Sequence, residues 1–199
     1  MIGSNSNNTK QNHSLFHVAL GWDANEANGS AVDLDLSCFL LNEEKTVRSN
    51  EDFIYYNQLD FPNGCIKHLG DCLGDSSSST TGELASQQDG TEIIDAESMD
   101  IDLSLIPRDV VEVVIAVTIY EAQKRKHNFG DVPSAYVRIL NGNGKEICRY
   151  KLSNAPGENT GLIFGSLQRQ GNSWIFQTIK KFFTSGLREL ALMYGVELE

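Results

Sequence analysis

Residues 33–41 read Asp-Leu-Asp-Leu-Ser-Cys-Phe-Leu-Leu, with Leu34, Leu36, Cys38 and Leu40 alternating with Asp33, Asp35 and Ser37. A strand turns successive side chains to opposite faces, so this period of two predicts a strand with Asp33, Asp35 and Ser37 sharing its second face. The alternation recurs from Ser14 onward. Phe16, Val18 and Leu20 share a face, and Met99, Ile101 and Leu103 alternate with Asp100 and Asp102. Residues 52–57 (Asp-Phe-Ile-Tyr-Tyr-Asn) predict a third strand, followed by a turn at Pro62-Asn63-Gly64 and a short pairing segment, Cys65–Leu69. Val110–Tyr120 is apolar on both faces and β-branched, as suits the central strand of a covered sheet. Asn141-Gly142-Asn143-Gly144 and Gly171-Asn172 each separate two strand-like runs, because Asn and Gly tolerate the positive φ of tight hairpins.

A firm helical period appears at Ser185–Tyr194, where Leu187, Leu190, Ala191 and Tyr194 recur at i, i+3, i+4 and i+7 before Gly195. Roughly eight to ten strands with one terminal helix predict an all-β fold, a two-sheet antiparallel β-sandwich with a C-terminal α-helix. At 199 residues the chain suits one core. Residues 14–199 are therefore expected to form one domain, preceded by a disordered tail at 1–13 and interrupted by a flexible polar insertion at 76–90.

Charge is distributed unevenly. Residues 71–102 hold nine carboxylates (Asp71, Asp75, Glu83, Asp89, Glu92, Asp95, Glu97, Asp100, Asp102) and no Lys or Arg, within a chain of net charge −11. Two carboxylates about 4 Å apart repel by roughly 4 kcal/mol at an effective dielectric near 20. A folded loop that gathers several of them needs a counter-charge, and calcium, which takes about six to eight hard oxygen ligands, is the natural one. A solvated polar loop is the alternative on composition alone. The acidity excludes nucleic-acid binding, which requires a basic footprint. Cys38, Cys65, Cys72 and Cys148 form no C-x-x-C pair, so free thiols are expected, with Cys65 and Cys72 the nearest to a redox pair. The absence of an 18-residue apolar run and of an apolar leader predicts a cytoplasmic protein with no transmembrane segment.

Catalytic signatures are sparse. Asp33-Leu-Asp35-Leu-Ser37 has the letters of the Asp-x-Asp-x-Ser/Thr motif of haloacid-dehalogenase-type phosphatases, and Gly70-Asp71 with Asp75 imitates their magnesium motif. That chemistry sits at the edge of a parallel sheet with intervening helices, and no βαβ pattern is present. No Gly-x-Ser-x-Gly elbow occurs, and His13, His17, His68 and His127 have no acid–base arrangement.

Seven segments in order, Gly21-Trp22-Asp23, Asp33–Leu41, Asp52–Asn57, His68-x-Gly70-Asp71, Asn128-Phe129-Gly130, Arg149-Tyr150 and Gly186-Leu187, resemble the TerD family of tellurite-resistance and stress proteins. The resemblance implies a calcium-binding β-sandwich without enzymatic activity, working with protein partners of a stress-response complex. Carried over position by position, it makes Asp71, Asp95 and Glu97 the metal ligands, with Asp23, Asp33, Asp35 and Asn57 as weaker candidates. His68 would support the site from behind. Cys72 and Ala96 stand where the family shows Asn and Asp. Both changes weaken a hard-cation site, and Asp89 or Glu92 of the insertion would compensate. A scaffold of the same fold with weak or lost calcium binding is the competing expectation. Lys124-Arg125-Lys126 and Lys180-Lys181 are the clusters that would dock a partner or, through bound calcium, a peripheral anionic membrane.

Overall fold

The computed structural model describes residues 14–23, 26–27, 30–71, 85–86, 92–93, 95–132 and 134–197. The expected tail at 1–13 lies outside these residues, as does the expected insertion apart from Ala85 and Ser86. The strands are β1 (Leu15–Trp22), β2 (Glu26–Ala27), β3 (Ser30–Ala31), β4 (Leu34–Leu41), β5 (Phe53–Ile54), β6 (Ile66–Asp71), β7 (Ala85–Ser86), β8 (Glu92–Ile93), β9 (Glu97–Asp102), β10 (Glu112–Ile119), β11 (Ala135–Asn141), β12 (Glu146–Lys151), β13 (Gly161–Gln170) and β14 (Ser173–Phe183). Among the described residues there are also two α-helices, α1 (Ala122–Arg125) and α2 (Gly186–Met193), and three short 3-10 turns.

Two five-stranded sheets face each other, in the orders β12-β11-β1-β9-β6 and β14-β13-β10-β4-β5, and β2–β3 and β7–β8 form small ribbons. The ladders of both sheets are antiparallel. The predicted sandwich is therefore the fold, and β10 takes the predicted central place in its sheet. Antiparallel pairing around β4 also removes the parallel-sheet edge that a dehalogenase-type phosphatase site would occupy.

Inward faces follow the sequence period. Val18 and Leu20, Leu34, Leu36, Cys38 and Leu40, Met99 and Ile101, and Val113, Ile115 and Val117 all enter one core between the sheets. A second core lies outside the second sheet, where Leu190, Ala191 and Val196 cover Phe39, Leu41, Val114, Ala116 and Ile163. The second face of β4 is thus roofed by α2 rather than bathed in water, and Ser37 and Asp35 on it are 0 % and 8 % exposed.

Two strand lengths differ from the sequence expectation. In residues 52–57 only Phe53 and Ile54 pair, because Tyr55 and Gln58 exchange backbone hydrogen bonds and close a turn. β14 continues past Thr178 to Phe183 through a bulge where Lys180 adopts φ 54°. Its outer side chains are largely exposed, so no apolar alternation marked the extension.

Candidate functional site

Strand ends bring the candidate residues to one end of the sandwich. Asp23 follows β1, Asp33 precedes β4 and Asp35 lies near its start, Asn57 lies in the turn after β5, Asp71 ends β6, Asp95 precedes β9 and Glu97 opens it. In the β6–β9 ladder Asp71 lies directly opposite Glu97, so the acidic stretch leaves and re-enters the sheet at one point. Gly70 makes this register available. At φ +74° it occupies the left-handed region, and the ladder shifts between His68 and Asp71.

Glu97 shares its face of β9 with Met99 and Ile101, so its carboxylate enters the sandwich, where it is 1 % exposed. Its Oε2 accepts a 2.6 Å hydrogen bond from the Leu36 N–H in the opposite sheet, and Oε1 lies 2.9 Å from His68 Nε2. That same Nε2 is 3.1 Å from the Leu36 carbonyl. The Gly70 N–H donates to Nδ1 at 3.1 Å, which needs a lone pair there and places the imidazole proton on Nε2. Leu36 needs these partners because β5 pairs only opposite Cys38 and Phe39. An acid and a histidine from the first sheet therefore satisfy the open edge of the second.

Asp95 turns to the outer face of the first sheet. Its carboxylate accepts from Arg138 through Nε at 3.2 Å and through a shorter Nη2 contact, and from the Tyr136 hydroxyl at 2.6 Å. The Tyr136 ring lies across Gly21, where a Cβ would come within 2.5 Å of it, and Arg149 stacks over the ring at 4.4 Å. Gly21 and Arg149 thus hold the phenol on Asp95. Burial, with the Asp95 contact, pushes the Tyr136 hydroxyl well above the ordinary phenol range. Asp95 and Arg138 are 7 % and 6 % exposed.

The remaining candidates stand apart. Asp23 is exposed, and its N–H donates to the Ser134 carbonyl. The Asp33 carbonyl accepts from the Tyr120 N–H. Asp35 faces away from the sandwich interior, on the side of β4 opposite Leu36, and Asn57 is exposed. Asp89 lies outside the described residues, as does Cys72. Cys65 is buried, and burial pushes its thiol up to about 12, so it is no thiolate nucleophile.

The donor chemistry of the acidic stretch suits a hard dication, yet no three His, Cys, Asp or Glu side chains gather at metal distance among the described residues. Asp95 and Glu97 serve opposite faces of one sheet, and each holds donors from the protein itself. One cation bound by both would displace one of those sets. Arg138 and Tyr136 were not anticipated from sequence. The signal available was an arginine within the strand Ala-Tyr-Val-Arg-Ile-Leu, where a charge at a covered position requires a counter-charge.

The TerD domain model matches residues 3–194. The tellurium resistance protein TerD of Serratia marcescens is 37% identical over 180 residues, covering 90% of this chain and 86% of that protein. General stress protein 16U of Bacillus subtilis is 35% identical over 194 residues, covering 96% and 93%. The crystal structure of a homologue of the telluride resistance protein from Streptomyces coelicolor superposes with a TM-score of 0.67 at 18% identity, covering 92% of this chain and 99% of that one. At that identity the superposition speaks for the fold.

Proposed function

This chain belongs to the TerD family, and on that premise we propose that it is a non-catalytic calcium-binding protein of the tellurium-resistance and stress-response type. The curated relatives matched are named as resistance and stress proteins. One observation carries the calcium reading: Asp71 and Glu97 are cross-strand partners, so the chain from 71 to 97, with seven carboxylates and no Lys or Arg, leaves and returns to the sheet at one point. The ion would sit between Asp71 and the Asp95–Glu97 segment, with Asp89 and its neighbours supplying further oxygens. Bound there, calcium supplies the counter-charge that offsets carboxylate repulsion. Asp71 and Glu97 fix the two ends of the loop so that it presents one surface to a protein partner.

A second reading is favoured by the contacts of Asp95 and Glu97. Arg138, Tyr136, His68 and the Leu36 N–H already answer these acids, as in a scaffold of the same fold that works without calcium. Calorimetric titration with calcium separates the two. The first reading expects a saturable heat that Asp71→Asn weakens at least about tenfold, since ligand charge count sets affinity in calcium loops. No heat in the wild-type chain, or an isotherm unchanged by Asp71→Asn, leaves the scaffold.

A further inference from the structure

Among the described residues the two five-stranded sheets end in four outer strands, β12, β6, β14 and β5. An outer strand presents a row of backbone N–H and C=O groups to which another strand can pair, and most folds close or charge such an edge. Three of the four are treated in this way. β5 pairs over two residues and runs into the Tyr55–Gln58 turn. β6 is backed by the loop before it, where the His68 N–H donates to the Leu59 carbonyl and Asp60 bridges to Lys67. β12 carries Glu146, Arg149 and Lys151 among its six residues. β14 differs: residues 173–179 read Ser-Trp-Ile-Phe-Gln-Thr-Ile, with no charge and no proline.

The backbone of this segment is open on alternate residues. Gly171-Asn172 makes a two-residue turn with Gly171 at φ +60°, so Gln170 and Ser173 exchange the first ladder bonds, and Ile175 and Gln177 repeat them toward β13. The N–H and C=O groups of Trp174, Phe176 and Thr178 therefore point away from β13, and among the described residues they meet no other strand or loop. The Trp174 and Phe176 side chains pack on the core, while Ile175 and Ile179 stand exposed on the outer face. Lys180, at φ 54°, then bends the strand and ends the free segment.

We propose that β14 pairs antiparallel with β14 of a second copy of this chain, about a two-fold axis at Gln177. In that register Ile175 lies opposite the partner's Ile179, at positions outside the hydrogen-bonded pairs, where side chains come closest. Phe176 exchanges N–H and C=O bonds with the partner's Thr178, which satisfies the open groups of both copies. The edge selects this occupant because it is its own complement when reversed about Gln177, as a two-fold contact requires. Moving the axis to Phe176 sets Ile175 against Gln177 and Ile179 against Ser173, and moving it to Thr178 sets them against Lys181 and Gln177. With the axis at Gln177, Lys180 falls opposite Trp174 rather than a second lysine. None of these residues belongs to the acidic stretch, so the contact stands independently of the calcium reading.

Sedimentation equilibrium on the full chain tests this, in chelator and at about 0.15 M salt, which screens the net charge beyond about 8 Å. So short a ladder lies at the low end of specific interfaces, and the wild-type chain should dimerise with a Kd of about 10–100 µM. Thr178→Pro deletes an N–H that points away from β13 and should weaken the dimer at least about tenfold. Ile175→Lys and Ile179→Glu, at exposed positions that do not endanger folding, should each do the same. The chain carrying both should recover to within about threefold of the wild type, since each introduced lysine then lies opposite an introduced glutamate across the axis. Unspecific apolar association would instead be weakest in that double variant. The proposal is overturned if the wild-type chain stays monomeric up to about 500 µM, which would leave the edge to an extended peptide of another protein. It is equally overturned if either isoleucine variant dimerises like the wild type, or if the double variant is no stronger than the single ones. Repeating the measurement in calcium should give the same Kd, so a failed calcium titration would leave this result standing.

Discussion

The two ends of the sandwich solve the same electrostatic problem in different ways. At the end where β4 stops and β10 begins, cations come from the loops themselves. Arg48 binds Asp52 at 2.6 Å and Asp109 at 2.7 Å, which ties the loop after β4 to the loop before β10. Lys45 reaches Glu112 at 2.7 Å, and Gln168 donates to the same carboxylate at 3.0 Å. Arg169 caps the carbonyls of Ile106, Pro107 and Val110 while stacking on Trp174. At the opposite end Arg138 and His68 answer Asp95 just before β9 and Glu97 at its start, and the stretch from Asp71 to Asp102 brings no Lys or Arg of its own. The first end is complete as folded. At the second, the described acids that enter the sheets are answered within the fold, and on the proposed calcium reading the charge for the rest of the acidic stretch comes from outside.

The largest effects should come from breaking the buried contacts at the acidic end. Arg138→Met leaves Asp95 buried without its cation, and Glu97→Leu orphans the Leu36 N–H and takes the carboxylate from His68 Nε2. Each should cost about 3–5 kcal/mol in denaturant unfolding. The double variant Asp95→Leu/Arg138→Met should lose less than Arg138→Met alone. Equal or greater loss would show that the pair holds the fold rather than merely neutralising itself. At the other end, Arg48→Met uncovers Asp52, which is 1 % exposed. Because Arg48 is itself 26 % exposed, the expected loss is smaller, roughly 2–4 kcal/mol, and it should be the same in calcium and in chelator. A calcium-dependent loss would erase the distinction between the ends.

The smallest effect is a pH dependence at the self-neutralised end. Burial raises the Glu112 carboxyl, but hydrogen bonds from Lys45, Ser166 and Gln168 outweigh it and hold the group below the ordinary glutamate range. A depressed folded pKa means that the unfolded chain binds the proton first. The contribution is therefore full above about pH 4.5 and is lost as pH falls through the folded value. Stability measured against pH should fall in that acid window, and Glu112→Gln should flatten the fall by roughly 1 kcal/mol. An unchanged profile would remove Glu112 from the account.

Much of this architecture was legible in the chain because it rests on local period and turn chemistry. β10 announced itself by β-branched residues on both faces, and Asn141–Gly144 by its hairpin letters. Several motifs proved structural: Gly21 makes room for Tyr136, and Asn128 and Asp131 bond the backbones of Gly130 and Asn128 around the buried Phe129. The site was harder to read. Glu97 falls on the face of Met99 and Ile101, so the period of two already placed it inside the sandwich, whereas the family pattern pointed to the loop. The Arg138–Asp95 contact joins residues 43 apart in sequence, and no local periodicity encodes such a partner. The cover over Asp35 and Ser37 was invisible for the same reason, since α2 arrives from the far end of the chain.

The contrast between the ends is tested most directly by melting the wild-type chain in calcium and in chelator. A ligand that binds only the folded state stabilises it by about 2.7 kcal/mol at a hundredfold excess over Kd, which for a domain near 200 residues is roughly 5–10 °C. The account predicts a rise of that size in calcium, absent in Asp71→Asn and retained in Arg48→Met. Superimposable wild-type curves in calcium and chelator would contradict it.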